Sequence, residues 1–238
     1  MQPNALLVRV CWVALISAIV WAERLPLRTY SNADGVPSST VNCIENDRRG
    51  FLWLCSYDGL IRFDGHKFVS YGPADGLPDR IVTAFLETTK GEYWVGTLKG
   101  LARFEPEASR HGRAPFATQR LGVEQDALHI TALVEGPDGA IWCGTRKGLY
   151  RLDAKAGFDR VEIGLPKRNW TTDYVKALAV DKAGALWIGT GWSGLYRRKS
   201  NGLIDHVAKP PLIEGITVDH RGSVWVAASG GVHRFDDN

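Results

Sequence analysis

The sequence lacks a second hydrophobic run, and its one clear run is too short to span a bilayer. Val10 to Ala22 is a charge-free stretch of 13 residues, whereas a membrane-spanning helix needs about 20. Arg9 precedes the stretch, and Val20-Trp21-Ala22 places small residues at the two positions that a signal peptidase reads. We therefore predict a signal peptide over residues 1–22, rather than an uncleaved anchor, and a periplasmic or secreted mature chain.

The sequence also lacks an excess of charge of either sign. It has 29 Lys and Arg against 26 Asp and Glu, and loss of residues 1–22 removes only Arg9. Proteins that bind nucleic acids concentrate basic residues on one face. We therefore predict no nucleic-acid partner.

No segment after residue 25 has a sustained helical period with capping residues. Instead, a glycine is followed three residues later by a tryptophan at five places, at intervals of 41, 48, 45 and 38 residues. A recurrence at this period is typical of repeat architectures. The repeated tryptophans are Trp53, Trp94, Trp142, Trp187 and Trp225.

Each repeat contains four short runs of β-branched and aromatic residues separated by turn residues, which predicts four strands. Four strands in a repeat of this length indicate a propeller blade. The prediction is an all-β fold, a β-propeller of four-stranded antiparallel blades, over residues 23–238. Five blades are expected, near residues 40–71, 81–120, 130–163, 175–206 and 213–238.

Ring closure has two possible forms. Residues 25–31 resemble a fourth strand, and the last repeat ends after its third, so the amino-terminal strand could complete the last blade of a closed five-bladed ring. Such a clasp would remove exposed strand edges. The alternative is that the five blades are part of a larger propeller.

The repeated residues have local structural roles. Asp47, Asp181 and Asp219 precede a glycine by three residues and form the first turn of a blade. Ser or Thr opens the next turn, and a glycine closes it: Gly59, Gly100, Gly148, Gly194 and Gly231. The tryptophans are expected to pack blade on blade. Arg62, with its repeats at 103, 151, 197 and 234, should stack across the strands on the tryptophan.

Three cysteines remain after removal of the signal peptide. Cys43 and Cys55 fall on adjacent predicted strands and could form a disulfide in an oxidising compartment. However, the odd total and the apolar residues at the equivalents of Cys55 and Cys143 favour buried free thiols.

The pattern Asp-x-x-Gly-x-x-Trp-x-Gly-Thr-x-x-Gly-Leu, preceded by segments such as Asp75-Gly-Leu-Pro-Asp-Arg-Ile-Val82, resembles the two-component regulator propeller repeat. The resemblance covers residues 27–238, with departures at Thr88, Gly136 and Ala227-Ala228. It implies a bacterial extracytoplasmic module that senses a ligand, often an oligosaccharide, and signals through a membrane-bound kinase or through further carboxy-terminal domains. This sequence has no nucleotide-binding glycine loop and no helical dimerisation segment.

The ligand is expected where the turns between second and third strands and the connections between blades meet. Trp170 and Trp192 stand outside the repeated tryptophan position and could stack on a sugar, while cationic residues beside them would favour an anionic ligand. The predicted ligand-binding residues are Tyr57, Lys99, Arg146, Lys147, Trp170, Asp173 and Trp192.

Two other classes of function are left open. A secreted scaffold that binds carbohydrate or protein would use the same fold. A propeller lyase or hydrolase is less favoured, because the six histidines have no zinc-type spacing and no Gly-x-Ser-x-Gly elbow is present. His129, at the start of an inner strand, is the histidine of most interest. We predict no enzyme activity, no metal and no cofactor.

Overall fold

The computed structural model describes residues 27–37, 40–119, 128–153, 157–165, 174–209 and 212–236. In them, 19 strands form five antiparallel sheets that follow one another along the chain. The fold is a β-propeller with five blades, as predicted. The signal peptide predicted over residues 1–22 lies outside the described residues. Within the described ranges, no helix has the length and apolar character to cross a membrane.

Strands β1–β8 form the first two blades. Blade one contains β1 (Val41–Asn46), β2 (Leu52–Ser56), β3 (Gly59–Phe63) and β4 (Phe68–Tyr71), and blade two contains β5 (Val82–Glu87), β6 (Tyr93–Thr97), β7 (Gly100–Phe104) and β8 (Phe116–Thr118). Short 3-10 helices lie at Asn32–Asp34, Pro73–Asp75 and Ala108–His111.

Strands β9–β19 form the other three blades. Blade three contains β9 (Ile130–Glu135), β10 (Ile141–Thr145), β11 (Gly148–Asp153) and β12 (Gly157–Val161), and blade four contains β13 (Val175–Val180), β14 (Leu186–Thr190), β15 (Leu195–Arg198) and β16 (Ile204–Ala208). Blade five contains β17 (Ile213–Val218), β18 (Val224–Ala228) and β19 (Gly231–Phe235). Blade five therefore has three strands in the described part of the chain, whereas each of the others has four.

The segment proposed as a closing strand does not pair with β19 in the described residues. Leu27–Ser31 has no regular secondary structure. Its aromatic residue, Tyr30, lies on blade one, with ring centroids 5.2 Å from Phe63 and 5.4 Å from Phe68.

The first turn of a blade is built around its aspartate, as predicted. Asp47 Oδ1 accepts hydrogen bonds from the amides of Arg49 and Phe51, both at 2.9 Å. Its second oxygen, Oδ2, accepts the indole N–H of Trp53 at 2.9 Å. One carboxylate thus closes the turn and fixes the tryptophan. The sequence indicated the turn but not the bond to the indole.

The arginine on the third strand lies directly opposite the tryptophan in all five blades. In blades three, four and five the guanidinium is within 6 Å of the indole, for example 5.1 Å between Arg197 and Trp187. In blade one Arg62 instead lies 4.7 Å over Phe51, and in blade two Arg103 forms an ion pair with Glu92 at 3.1 Å. The register was predicted correctly in every blade, and the cation–π contact with the tryptophan in three.

The prediction of free thiols is wrong for the first pair of cysteines. Cys43 and Cys55 form a disulfide with a Cα–Cα distance of 4.9 Å. The reason is the register of β1 on β2, in which an irregularity after Val41 places Cys43 directly opposite Cys55. Cys143 is a buried free thiol, as expected, and burial raises the pKa of its sulfur.

Candidate functional site

One end of the propeller carries both the turns between second and third strands and the connections between blades. In every blade an amide of that turn donates to the carbonyl at or just before the start of the inner strand. For example, Gly191 donates to Tyr174 at 3.0 Å, and Arg146 donates to His129 at 3.3 Å. We call this end the turn face, defined by the turns at residues 56–59, 97–100, 145–148, 190–194 and 228–231.

The turns of the first four blades are held by a hydroxyl, as the sequence predicted. In blade three, Thr145 Oγ1 donates to the Gly148 carbonyl and accepts from the Lys147 amide, both at 3.0 Å. Ser56, Thr97 and Thr190 do the same in blades one, two and four. A turn closed by its own side chain presents the residues between its ends to solvent in a fixed geometry.

The turn face collects five of the predicted ligand-binding residues. They come from four successive blades: Tyr57, Lys99, Arg146, Lys147 and Trp192. Trp170 and Asp173, also predicted to bind the ligand, lie outside the described residues.

Trp192 lies in a turn that is one residue longer than the other turns of the turn face. Three residues separate Thr190 from Gly194, whereas two separate the corresponding residues of the other hydroxyl-opened turns. The extra residue leaves the Trp192 side chain 51% exposed. Its neighbours are fixed, because Ser193 donates to Thr190 Oγ1 at 2.9 Å and the Ser193 carbonyl lies 2.8 Å from a ring nitrogen of His206.

Two of the charges on the turn face are already paired with acidic groups. Lys99 binds Asp79 at 2.9 Å, and Arg80 binds Asp58 at 2.9 Å. Partial burial by itself would raise the pKa of Asp79, but the Ile81 amide and the Lys99 ammonium outweigh it and lower that pKa below its usual range. Lys99 thus has an acidic partner on the turn face. Lys99 and Arg146 are both exposed, whereas Lys147 is half-buried.

A cavity of about 370 Å³ lies at the opposite end of the inner strands, and sequence reasoning missed it. Seven residues from blades one, two and three line it: Glu45, Asn46, Arg48, Phe85, Leu86, Glu87 and Leu133. Glu87 accepts a hydrogen bond from the Arg48 amide at 2.8 Å. Loss of hydration raises the pKa of Glu45, because neighbouring protein atoms replace water around its carboxyl group. We call this the axial cavity. It forms where three inner strands converge, and no sequence motif marks that convergence.

The described residues contain no group of three or more His, Cys, Asp and Glu side chains that could hold a metal ion. His129 is half-buried at the start of β9, and its carbonyl accepts from the Arg146 amide. The backbone of His129 therefore holds the turn between β10 and β11. The prediction that the chain is not an enzyme stays a prediction.

Several solved structures share the fold. The extracellular domain of BT4673 from B. thetaiotaomicron, assigned to a one component or hybrid two component system, superposes with a TM-score of 0.67 at 23% identity. The match covers 79% of this chain and 26% of that one. The extracellular domain of BT3049 from the same organism gives a TM-score of 0.63 at 19% identity, over 82% and 26% of the two chains. This chain thus spans about a quarter of the length of those extracellular domains.

Enzymes with this fold are also similar. Virginiamycin B lyase from Staphylococcus aureus superposes with a TM-score of 0.65 at 16% identity, over 85% of this chain and 68% of the lyase. At such identities the likeness concerns the fold alone. No curated protein sequence matches the chain.

Two segments of the sequence match a known repeat. Residues 35–58 and 169–192 match the family model described as two component regulator propeller. The first match ends in the turn of blade one that contains Tyr57, and the second ends at Trp192 in the turn of blade four. Two segments of the chain therefore carry the two-component regulator propeller repeat.

Proposed function

We propose that this chain is an extracytoplasmic ligand-sensing module of a bacterial two-component system and binds an oligosaccharide on its turn face. The observation that carries the proposal is the exposed indole of Trp192 on a fixed turn, at the same end as Tyr57 and Arg146. Aromatic rings stack on the apolar faces of sugars, and a guanidinium binds carboxylate or sulfate groups in a two-point manner.

Two further observations support export and sensing. The Cys43–Cys55 disulfide is of a kind that persists in oxidising compartments such as the periplasm. The similar domains of BT4673 and BT3049 are extracellular domains of signalling systems. Transmission would require a membrane-bound kinase or further domains.

The test is a thermal-shift screen of the purified chain against neutral and anionic oligosaccharides. Replacement of Trp192 by alanine should abolish the stabilisation by the bound sugar, because the apolar surface on which the sugar stacks is lost. The double variant with Trp170→Ala should behave in the same way.

Two control variants separate the turn face from other surfaces. Leu203→Ala removes another exposed apolar side chain, in the turn between β15 and β16. Glu45→Gln changes the axial cavity. Both should keep the full ligand-induced shift. A shift that survives Trp192→Ala and disappears in Glu45→Gln would move the site to the axial cavity and contradict the proposal.

A further inference from the structure

The fourth strand of blade four, β16, lies against the turn that carries Trp192. A ring nitrogen of His206 on β16 lies 2.8 Å from the Ser193 carbonyl. The same imidazole stacks on Tyr196 of the third strand, with the ring centroids 4.5 Å apart. These two contacts fix the position of β16 relative to the turn.

The glycine that closes this turn is in close contact with the end of the same strand. Gly194 has a φ of +87°, and a Cβ added to it would overlap the Ala208 carbonyl oxygen and lie 2.8 Å from Lys209 Cα. Both the positive φ and the lack of space require glycine at this position. Gly194 is two residues from Trp192 along the chain. The backbone of Lys209 is therefore held beside the Trp192 turn, on the turn face.

The ammonium of Lys209 has no partner of its own. Lys209 is exposed and forms no ion pair or hydrogen bond through its side chain with any residue that the structure describes. The other described lysines of blade four are bound to protein groups: Lys176 to Glu214, Lys182 to the His220 carbonyl and Lys199 to Asp205. The free charge beside the Trp192 turn is thus positive.

The equivalent position in blades one and three carries no cation. It is the residue that follows the partner of the third-strand leucine, as Lys209 follows Ala208, which pairs with Leu195. In blade one this residue is Gly72. In blade three it is Glu162, whose carboxylate binds Arg160 at 3.3 Å. In blade two it lies outside the described residues. Blade four thus brings two departures from the repeat, an extra tryptophan and a free lysine, to the same turn.

We propose that the sugar bound on Trp192 is acidic and that Lys209 binds its carboxylate or sulfate group, an inference that rests on the proposed function. The indole supplies the apolar surface on which a sugar ring stacks. The ammonium is a compact charge on a flexible stem, so it binds an anionic group without requiring one fixed orientation. Hydrogen bonds between charged groups are stronger than those between neutral ones, so the acidic group adds affinity that a neutral sugar lacks.

The experiment compares two matched pairs of oligosaccharides by isothermal titration of the purified chain. Hexagalacturonate is paired with its methyl ester, and a carrageenan hexasaccharide with its desulfated form, so that the charge changes while the sugar backbone is kept. At least one acidic member should bind, and its neutral counterpart should bind more weakly by about tenfold, because the contact with Lys209 is lost.

Variants of the lysine separate its charge from other effects. Lys209→Gln should weaken binding of the acidic member by about tenfold and leave binding of the neutral member unchanged. Lys209→Arg keeps the charge and should keep the preference for the acidic member. Lys90→Gln is the matched control, because Lys90 is an exposed lysine in the first turn of blade two, at the opposite end of the propeller. It should bind as the unmodified chain does.

Four results would decide against an acidic ligand at Lys209. Equal binding of acidic and neutral members, lost in Trp192→Ala, would keep the sugar on the turn face and overturn the role of Lys209 alone. An unchanged affinity for the acidic member in Lys209→Gln would do the same. Acidic binding that survives Trp192→Ala would contradict the proposed function as well. Absence of binding by all the probes would overturn the acidic assignment, while the wider thermal-shift screen still tests the proposed function.

Discussion

Blade four and blade two hold their repeated tryptophans in different ways. In blade four, Asp181 is fully buried and accepts hydrogen bonds from the Trp187 indole at 2.8 Å and from Arg197 at 2.9 Å. In blade two, Thr88 replaces the aspartate, and the indole nitrogen of Trp94 is buried without a hydrogen-bond partner. Both blades form the same four strands.

The comparison teaches that burial of the indole positions the strand and that the aspartate adds a polar anchor. Packing is shared by all blades because it depends on the apolar surface of the tryptophan. The anchor exists only where a carboxylate reaches the indole nitrogen. Blades one and five have it as well, through Asp47 and Asp219, both at 2.9 Å.

The largest effect is expected from loss of the anchor in blade four. Asp181→Ala removes the carboxylate that accepts hydrogen bonds from the Trp187 indole, the Ala185 amide and the Arg197 guanidinium, and should lower the free energy of unfolding by about 3 kcal/mol. Urea unfolding measures this loss. Asp205→Ala, which removes an exposed ion pair with Lys199, should change the same quantity by about 0.5 kcal/mol or less. Equal losses in the two variants would remove the distinction between anchor and surface charge.

A smaller effect of opposite sign is expected when blade two receives the anchor. Thr88 Oγ1 already accepts the Glu92 amide at 3.0 Å, as Asp47 accepts that of Phe51. Thr88→Asp should keep this bond and add one to Trp94, which raises the free energy of unfolding by about 1 kcal/mol. Urea midpoints at constant slope measure the gain.

Blade three provides the control for that gain. A Cβ added at Gly136 would lie 2.6 Å from Trp142 Nε1, so Gly136→Asp has no room for the anchor and should destabilise the chain. Stabilisation of both variants would mean that general charge effects, rather than the bond to the indole, cause the gain.

The smallest effect concerns acid stability. Hydrogen bonds from the Trp225 indole and from backbone amides lower the pKa of Asp219 to about 2. For Asp47, burial alone would raise the pKa, but hydrogen bonds from Trp53, Tyr93 and backbone amides outweigh burial and lower the pKa. Because these pKa values are below those of the unfolded chain, the stabilisation is complete above the unfolded pKa and is lost as pH falls through the folded one.

The free energy of unfolding should therefore decline between about pH 5 and about pH 2. Urea midpoints measured across this range give the slope. Asp219→Asn should flatten the curve, whereas Asp34→Asn, in the amino-terminal 3-10 helix, is the comparison that leaves both anchors intact. An unchanged slope in Asp219→Asn would exclude this carboxyl as a source of acid sensitivity.

Much of the fold could be predicted because its information is local. The spacing of glycine, tryptophan and the closing glycine predicted strands, turns and the register of Trp53 on Arg62. The same logic placed Tyr57, Arg146 and Trp192 at one end of the propeller. Whether they bind a ligand stays a prediction, because the pattern of a turn defines where a side chain emerges and not what it contacts.

Contacts between blades could not be predicted in this way. The pairing of Lys99 with Asp79 depends on how the connection between blades lies against a turn. The axial cavity depends on the convergence of three inner strands. The disulfide depends on one irregularity in the register of β1, and a shift of one residue would have directed Cys43 to the other face of the sheet.

The sequence by itself determined that the chain folds into five propeller blades, because strand periodicity, turn residues and the repeated tryptophan act within a blade. Only the tertiary structure decided which of the equivalent residues a neighbouring blade covers. Val41 and Val82 occupy the same place in the repeat, yet one is exposed and the other fully buried. The physical reason is that burial depends on whether a neighbouring blade covers the residue. The local sequence around the residue does not specify whether such a blade is present.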